Sequence, residues 1–476
     1  MDAMSEIVRH VRTMRYEDLP DEVVQVTKKA ILDTVGAGLV GSSSPLGRIV
    51  AAMARDSGGS RQSSTLVYGD RVPVQEAAFA NAVLSRCREL DDVHEGTKRL
   101  GGGPGGHVSV MIVPPILALA ESLPRPVSGR DLILAVAIGA DLVVRLRCAA
   151  GTAGKLGFMA ETVSPFGVVA AAGKLLDLDE DTIANAMGAA YSFCAGTTVS
   201  NADGGWDIWL AAGTGARAGI VAVELARRGY IGTKVPLSGV GGLYPLYFRG
   251  EYHEQTLLSE LGQVFEIANV SIKPYSACKC THNAIHTALG LRHKHAIRPD
   301  DIERIEVRTC SWNVKLTVLD ENGRHKHEPR TLNAALFSMP YVIATALVKG
   351  DVFPDVLNED TLGDPQTLKL SRKIRVEATN ELDEYMMRVG FPPDVVAIHM
   401  KDGSVYVGAE SKAKGHPDNP MSFDEVAAKF RKCAKFAARP LTDRRLDDFI
   451  AAVSRLDRLA DVRGLNGLLC ADAAEG

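Results

Sequence analysis

EVVQVTKKAILDTVGAGL, residues Glu22–Leu39, is the stretch whose reading decides the fold. Val23, Val26, Ile31, Val35 and Leu39 fall near one stripe at helical spacing, the period of a helix with one buried side and not of a strand. Asp131–Arg147, Phe166–Leu176 and Thr214–Arg228 follow the same pattern, with small residues, few β-branched runs, and Gly or Asp at or near the ends. So many Ala and Gly positions predict helices packed closely in several layers of an all-α domain.

The character changes near residue 270. Arg304–Arg308 and Ile374–Glu377 alternate polar and apolar residues at the strand period. Val395–Met400 and the following stretch to Tyr406 read as a β-hairpin with Asp402-Gly403 at its turn. A single helix is expected between these strands, over Leu332–Val348. After Pro420 the pattern is helical again, and Ser422 stands three residues before Glu425 at capping-box spacing. The expected architecture is mainly α. A large all-helical domain is formed by both chain ends (1–270 and 412–476), with a smaller α+β lid domain (271–411) inserted between them.

With 476 residues and a formal net charge of −4, the chain shows no basic surplus of the kind nucleic-acid binding requires. Neither Val108–Ala120, broken by Pro114-Pro115, nor the Gly/Ser/Thr-rich stretch Thr182–Ala202 resembles a lipid-facing span. No signal peptide is visible, and eight scattered cysteines form no disulfide framework in a protein this size. The expectation is a cytoplasmic protein without nucleic-acid or membrane partners.

Three motifs imitate known sites. Gly36-Ala-Gly38-Leu-Val-Gly41 fits a dinucleotide fingerprint, but it closes a helical stripe where the fingerprint follows a strand. Close helix packing is the better reading. Gly101–Gly106 resembles a phosphate cradle, yet no Gly-Lys-Ser/Thr follows it. A flexible loop beside a site is expected there. Cys278-Lys-Cys280-Thr-His282 with His286 resembles a metal cluster, but one residue separates the thiols and no second pair stands at finger spacing. Thiols packed inward at a helix start are the competing reading, and no metal is expected.

Glu89-Leu-Asp91-Asp92-Val-His94 gathers three carboxylates and an imidazole within six residues. Solvated helix ends also look like this. His107 follows the glycine-rich loop and precedes an apolar run. It is either a satisfied buried residue or an acid/base at a pocket wall. Ile272–Lys279 lies where the chain passes from the helical to the α+β part, and domain interfaces favour ligand clefts. There Lys273 and Lys279 are placed to hold carboxylates and Tyr275 to donate a hydrogen bond, with Pro274 stiffening the segment.

Along nearly its whole length the chain resembles the MmgE/PrpD superfamily. The resemblance rests on Leu32–Gly36, Glu89–His94, His107–Pro114, Phe166–Leu176, Ala212–Gly219, Ile272–Tyr275 with His282–Ile285, Phe337–Pro340 and His416–Pro420, taken in order and spacing. It implies the two-domain fold above, a homodimer, a cleft between the domains and no cofactor. Family members dehydrate 2-methylcitrate, decarboxylate cis-aconitate or epimerise iminodisuccinate. Such chemistry needs a base near an acidic carbon and groups that hold carboxylates.

Carried over by position, Glu89 stands where the family often has an Asp. Asp91, Asp92, His94, His107 and Lys273 match directly, and Tyr275 is similar to the usual residue. Several positions depart: Met159 replaces a frequent His, Ile208 a frequent Lys, Cys278 the His of the decarboxylases and Val93 a frequent Thr. Asp207 and Trp209 are unusual, and the glycine-rich loop 101–106 is longer. Met159 and Ile208 make the expected pocket less polar. The leading expectation is a cofactor-independent lyase acting on a small carboxylate substrate. Its expected catalytic set is His107, Glu89, Asp91, Asp92, His94 and Lys273, and Tyr275, Cys278, Lys279, Met159 and Ile208 are expected to contact substrate. An epimerase of a small dicarboxylate, or a non-catalytic carboxylate-binding protein on the same scaffold, are the alternatives.

Overall fold

The opening stripe folds as the helix Asp21–Gly41, most of it buried. The computed structural model describes residues 3–101, 105–151, 157–200, 204–320 and 322–470. The chain is mainly helical with small sheets. Gly41 shows why this helix carries glycines: a Cβ there would lie 1.8 Å from the Leu84 carbonyl oxygen. The Gly-x-Gly-x-x-Gly run is therefore a surface of close helix contact, Gly38 and Gly41 against Val74–Arg86 and Gly36 against Phe430.

The helix Asp207–Arg227 is the centre of a second layer, packed on Val74–Arg86, Ser164–Leu175 and Glu180–Tyr191. At Gly213 a Cβ would come 2.4 Å from Val83 Cγ2. This is the one described helix long and apolar enough to cross a membrane, and 67% of its apolar window is buried against those neighbours. Gly129–Cys148 packs on Ser164–Leu175 and on Ser109–Ser122, which contains Pro114 and Pro115. All eight cysteines are free thiols.

The C-terminal segment returns to this core. Phe423–Ala434 starts at the expected capping box, with Ser422 Oγ accepting from Glu425 N at 3.2 Å and Glu425 Oε2 accepting from Ser422 N at 2.8 Å. It packs along Asp21–Gly41. Buried Lys429 donates to Asp33 Oδ1 at 2.6 Å and to the Leu90 carbonyl at 2.8 Å.

Between residues 282 and 410 a separate hydrophobic cluster forms around a four-stranded sheet. Its order is Ile374–Ala378, Ile302–Thr309, Asp394–Met400, Val405–Glu410, the first pair parallel and the others antiparallel. Asp394–Met400 alternates buried and half-buried residues, and His282–His295 and Met339–Lys349 supply the helical cover. Asp402-Gly403 makes the hairpin tip, with Gly403 at φ +89°. The helix expected over Leu332–Val348 is in fact two, Leu332–Leu336 and Met339–Lys349. Pro340 lacks an N–H and its ring would meet the Leu336 carbonyl in a continuous helix. Ser338 caps the second piece, accepting from Tyr341 N at 3.2 Å.

A small antiparallel sheet lies under the site, ordered Gly106–His107, Val93–His94, Val270–Ser271. Residues 102–104 of the expected glycine-rich loop, and 201–203 around the end of the stretch Thr182–Ala202, lie outside the described residues.

Candidate active site

The site begins where the helix Val74–Arg86 stops. Arg86 is fully buried, and its guanidinium faces three carboxylates: Glu89, Glu161 at 3.2 Å and Asp91 at 3.6 Å. Three residues on, Glu89 turns into the left-handed region at φ +50°, a conformation costing on the order of 1 kcal/mol for a residue with a Cβ. Arg86, Lys273 and Trp209 hold it. Lys273 Nζ reaches its carboxylate at 2.9 Å and its carbonyl at 3.2 Å, and Trp209 Nε1 donates to Oε1 at 3.2 Å. Burial alone would raise the Glu89 carboxyl, but Arg86, Lys273 and His107 outweigh it and hold the group well below the usual carboxylate range. At Asp91, likewise, burial is outweighed by His107 and Arg86, and the carboxyl is held low.

Ionised Asp91 orients His107. Its Oδ2 lies 2.6 Å from His107 Nδ1, so the ring N–H donates there and the free lone pair of the neutral ring sits on Nε2. Nε2 is 3.9 Å from Glu89 Oε2, too long for a hydrogen bond. The small sheet sets the direction. His107 pairs with Val93, so the two share a face, and both line the cavity.

That cavity encloses about 510 Å³. Among the described residues on its wall, Arg86, Arg147, Lys279, Lys315 and Lys326 are cationic and Glu161 is the carboxylate. Two guanidinium nitrogens, Arg86 Nη2 and Arg147 Nη1, are buried with no hydrogen-bond partner. An unpaired buried donor is costly, and two of them on one cavity wall suit an anionic guest. Arg147 Nη2 donates to the Phe158 carbonyl at 3.0 Å. Burial pushes this guanidinium down to about 10, still cationic at neutral pH. Lys279 Nζ pairs with Glu95 at 2.7 Å and sits 5.4 Å from the Phe391 ring centroid.

The expected site residues divide into two groups. His107, Met159, Ile208, Cys278 and Lys279 line the cavity. Glu89 and Asp91 stand directly behind His107 and Arg86. Lys273 is fully buried and spends its ammonium on Glu89, so it acts through that residue and does not grip a ligand itself. Tyr275 is not on the cavity wall: its hydroxyl meets His286 Nδ1 at 3.1 Å. Asp92 accepts from Ser109 N at 2.9 Å at the start of Ser109–Ser122, and burial pushes its carboxyl up to about 6. His94, on the opposite face of its strand from Val93, meets Glu266 Oε2 at 2.8 Å and accepts from the backbone.

Arg86, Arg147 and Glu161 escaped the sequence reading. Each sits in or beside an Ala-rich helical pattern, where a charged residue ordinarily marks the solvated side. A cation on the apolar stripe is the signal that could have found them. The metal-like motif comes apart in space: Cys278 and Cys280 face the cavity, while His282 Nε2 contacts the Ala277 carbonyl at 3.1 Å. Cys280 hydrogen-bonds the Cys278 sulfur and holds that thiol below its ordinary range. Among the described residues, no three His, Cys, Asp or Glu side chains are grouped to hold a metal ion.

Comparison with known proteins matches residues 5–256 to the MmgE/PrpD N-terminal domain and residues 275–454 to the MmgE/PrpD C-terminal domain. The chain belongs to the MmgE/PrpD family. Within it, cis-aconitate decarboxylase from Homo sapiens is 28% identical, over 96% of this chain and 92% of that protein. The mouse protein of the same name is 26% identical, over 96% and 91%. Cis-aconitate decarboxylase from Aspergillus terreus is 25% identical, over 98% and 95%. The family matches meet near the small sheet: the N-terminal one carries Glu89 to His107, and the C-terminal one begins at Tyr275, just beyond Lys273.

Proposed function

We propose that this MmgE/PrpD protein is a cofactor-independent lyase acting on a small polycarboxylate, with proton transfer at a carbon next to a carboxylate. The observation that carries the reading is His107, oriented by ionised Asp91 at 2.6 Å with Nε2 on the cavity side, beside the unpartnered guanidinium nitrogens of Arg86 and Arg147. A substrate carboxylate pairs with those nitrogens. His107 Nε2 takes a proton from the adjacent carbon, or returns one to it, and Asp91 stabilises the imidazolium. Charge building on the carboxylate oxygens in the transition state lies against fixed cations. Arg86 needs no reorganisation, because Glu89, Asp91 and Glu161 already fix its position.

The names of the relatives support decarboxylation as the particular reaction. The separate hydrophobic cluster of residues 284–400, and the return of Phe423–Ala434 to the helical core, support an inserted lid over 271–411. We infer a homodimer as well, which sedimentation of the purified chain tests.

The deciding experiment is proton NMR of the protein in heavy water with cis-aconitate, 2-methylcitrate and iminodisuccinate. The expected result is a new vinyl resonance or the loss of a substrate resonance, with deuterium at the protonated carbon. Exchange of an α-proton without elimination would replace the lyase with an epimerase. Absence of both exchange and binding would remove the catalytic reading.

A further inference from the structure

We propose, building on the carboxylate reading above, that the substrate carries an apolar substituent of several carbons and no more than two carboxylates engaged with the cavity wall. Its class is a 2-alkyl- or 2-aryl-substituted dicarboxylic acid. Met159 and Ile208 are the residues that select it.

Four observations converge. First, Met159 and Ile208 are buried and both line the cavity beside His107, together with Phe158, Leu316, Phe337 and Phe391. A carboxylate laid against those apolar side chains would lose its water and meet no donor on them, a penalty a preformed apolar surface cannot offset. Second, among the described residues the buried guanidinium nitrogens of this wall without a partner are two, Arg86 Nη2 and Arg147 Nη1, whereas Lys279 is paired with Glu95, Lys326 donates to the Leu316 carbonyl and Lys315 is exposed. Two open guanidinium nitrogens match one or two bound carboxylates. Third, about 510 Å³ falls among sites of roughly 300–1,000 Å³ that enclose drug-sized ligands, more room than an unsubstituted six-carbon acid fills.

Fourth, the apolar wall is built in advance. The Phe158 ring stacks on Tyr247 at 5.1 Å and meets Phe248 edge-on at 5.7 Å. Met159 N donates to the Gly196 carbonyl at 3.3 Å, and Ile208 N donates to Ser200 Oγ at 3.1 Å. These contacts fix the backbone that carries both side chains. A preformed apolar surface rewards an apolar guest without a large ordering cost.

Isothermal titration of the purified protein with 2-methylsuccinate, 2-butylsuccinate and tricarballylate tests the proposal. Each added methylene is expected to tighten binding roughly threefold to fourfold. Butylsuccinate should therefore bind at least about tenfold more tightly than methylsuccinate, and tricarballylate should bind no better than methylsuccinate. Met159→Gln should lower the ratio of butylsuccinate to methylsuccinate affinity, and Ile208→Ala, a milder change, should lower it less. Equal affinity for the two alkyl acids, or preference for tricarballylate, would overturn the proposal and leave the lyase reading standing. Failure of all three acids to bind would overturn both.

Discussion

The two faces of one small sheet carry two histidines with opposite lives. His94 and His107 sit on adjacent antiparallel strands, paired as His94 with Gly106 and Val93 with His107. Pleating sends their side chains to opposite sides. His94 is fully enclosed. Its Nδ1 accepts from the amides of Gly105 at 3.0 Å and Gly96 at 3.2 Å, and its Nε2–H donates to Glu266, so no lone pair is left for chemistry. Burial pushes it down to about 4 and keeps it neutral. The His107 side chain is 16% exposed, holds one carboxylate, and keeps Nε2 for a guest. The same residue type is fastened through both ring nitrogens on one face and through one on the other, and the number of committed ring nitrogens makes the difference.

The largest effect that can break this contrast is on turnover. His107→Gln should cost roughly 10²–10⁴ in kcat while carboxylate binding persists. Unchanged turnover would return His107 to the same standing as His94. Next comes the support behind it. Lys273→Met leaves Glu89 with one fewer cation in a buried network and should lower stability by about 3–5 kcal/mol in urea unfolding. A loss confined to KM would instead mean that Lys273 touches substrate.

His94→Gln should strand backbone amides and cost about 1–3 kcal/mol, with turnover by the folded fraction retained. The deficit should depend on pH. Folded His94 titrates near 4 against 6.5 for the free side chain. The unfolded chain therefore gains the proton first, and the stabilisation present above 6.5 drains away as pH falls toward 4. Wild type and variant should converge in stability by up to about 3 kcal/mol across that window. Parallel urea midpoints at pH 7 and pH 5 would argue against a buried neutral ring. Smallest of all, Tyr275→Phe should cost about 1 kcal/mol of stability with KM unchanged. A tenfold rise in KM would bring Tyr275 into the cavity.

Local pattern made much of this legible. The stripe through Val23 and Leu39, the Ser422/Glu425 capping box and the Asp402-Gly403 turn each encode structure within a few residues, and each is found. The lone fingerprint of glycines was readable as packing because it closed a helix. His107 and Asp91 came from chemistry and resemblance together, and they meet at 2.6 Å. What stayed hidden needs the third dimension. Arg86 and Arg147 look like solvated helix ends until neighbouring layers cover them. Tyr275 and Lys273, two residues apart, point to different partners, His286 and Glu89. No spacing rule distinguishes a lysine that holds a ligand from one that holds a carboxylate behind the wall. The break at Ser338 was visible in Pro340, yet the apolar run on either side masked it.

Lys429, on the returning helix Phe423–Ala434, ties that helix to Asp33 in the first layer and to the Leu90 carbonyl between Glu89 and Asp91. On the ribosome, the loop that holds the Glu89 and Asp91 carboxylates is therefore made hundreds of residues before its fastener. Until that fastener emerges, Asp33 lacks this cation and the Leu90 carbonyl lacks this donor. Contacts of such long sequence separation slow folding and leave the early layers exposed during synthesis. The protein is thus expected to gain activity only after residue 429 has emerged, and a nascent chain stalled before it should be a client for chaperones and not a working half-enzyme.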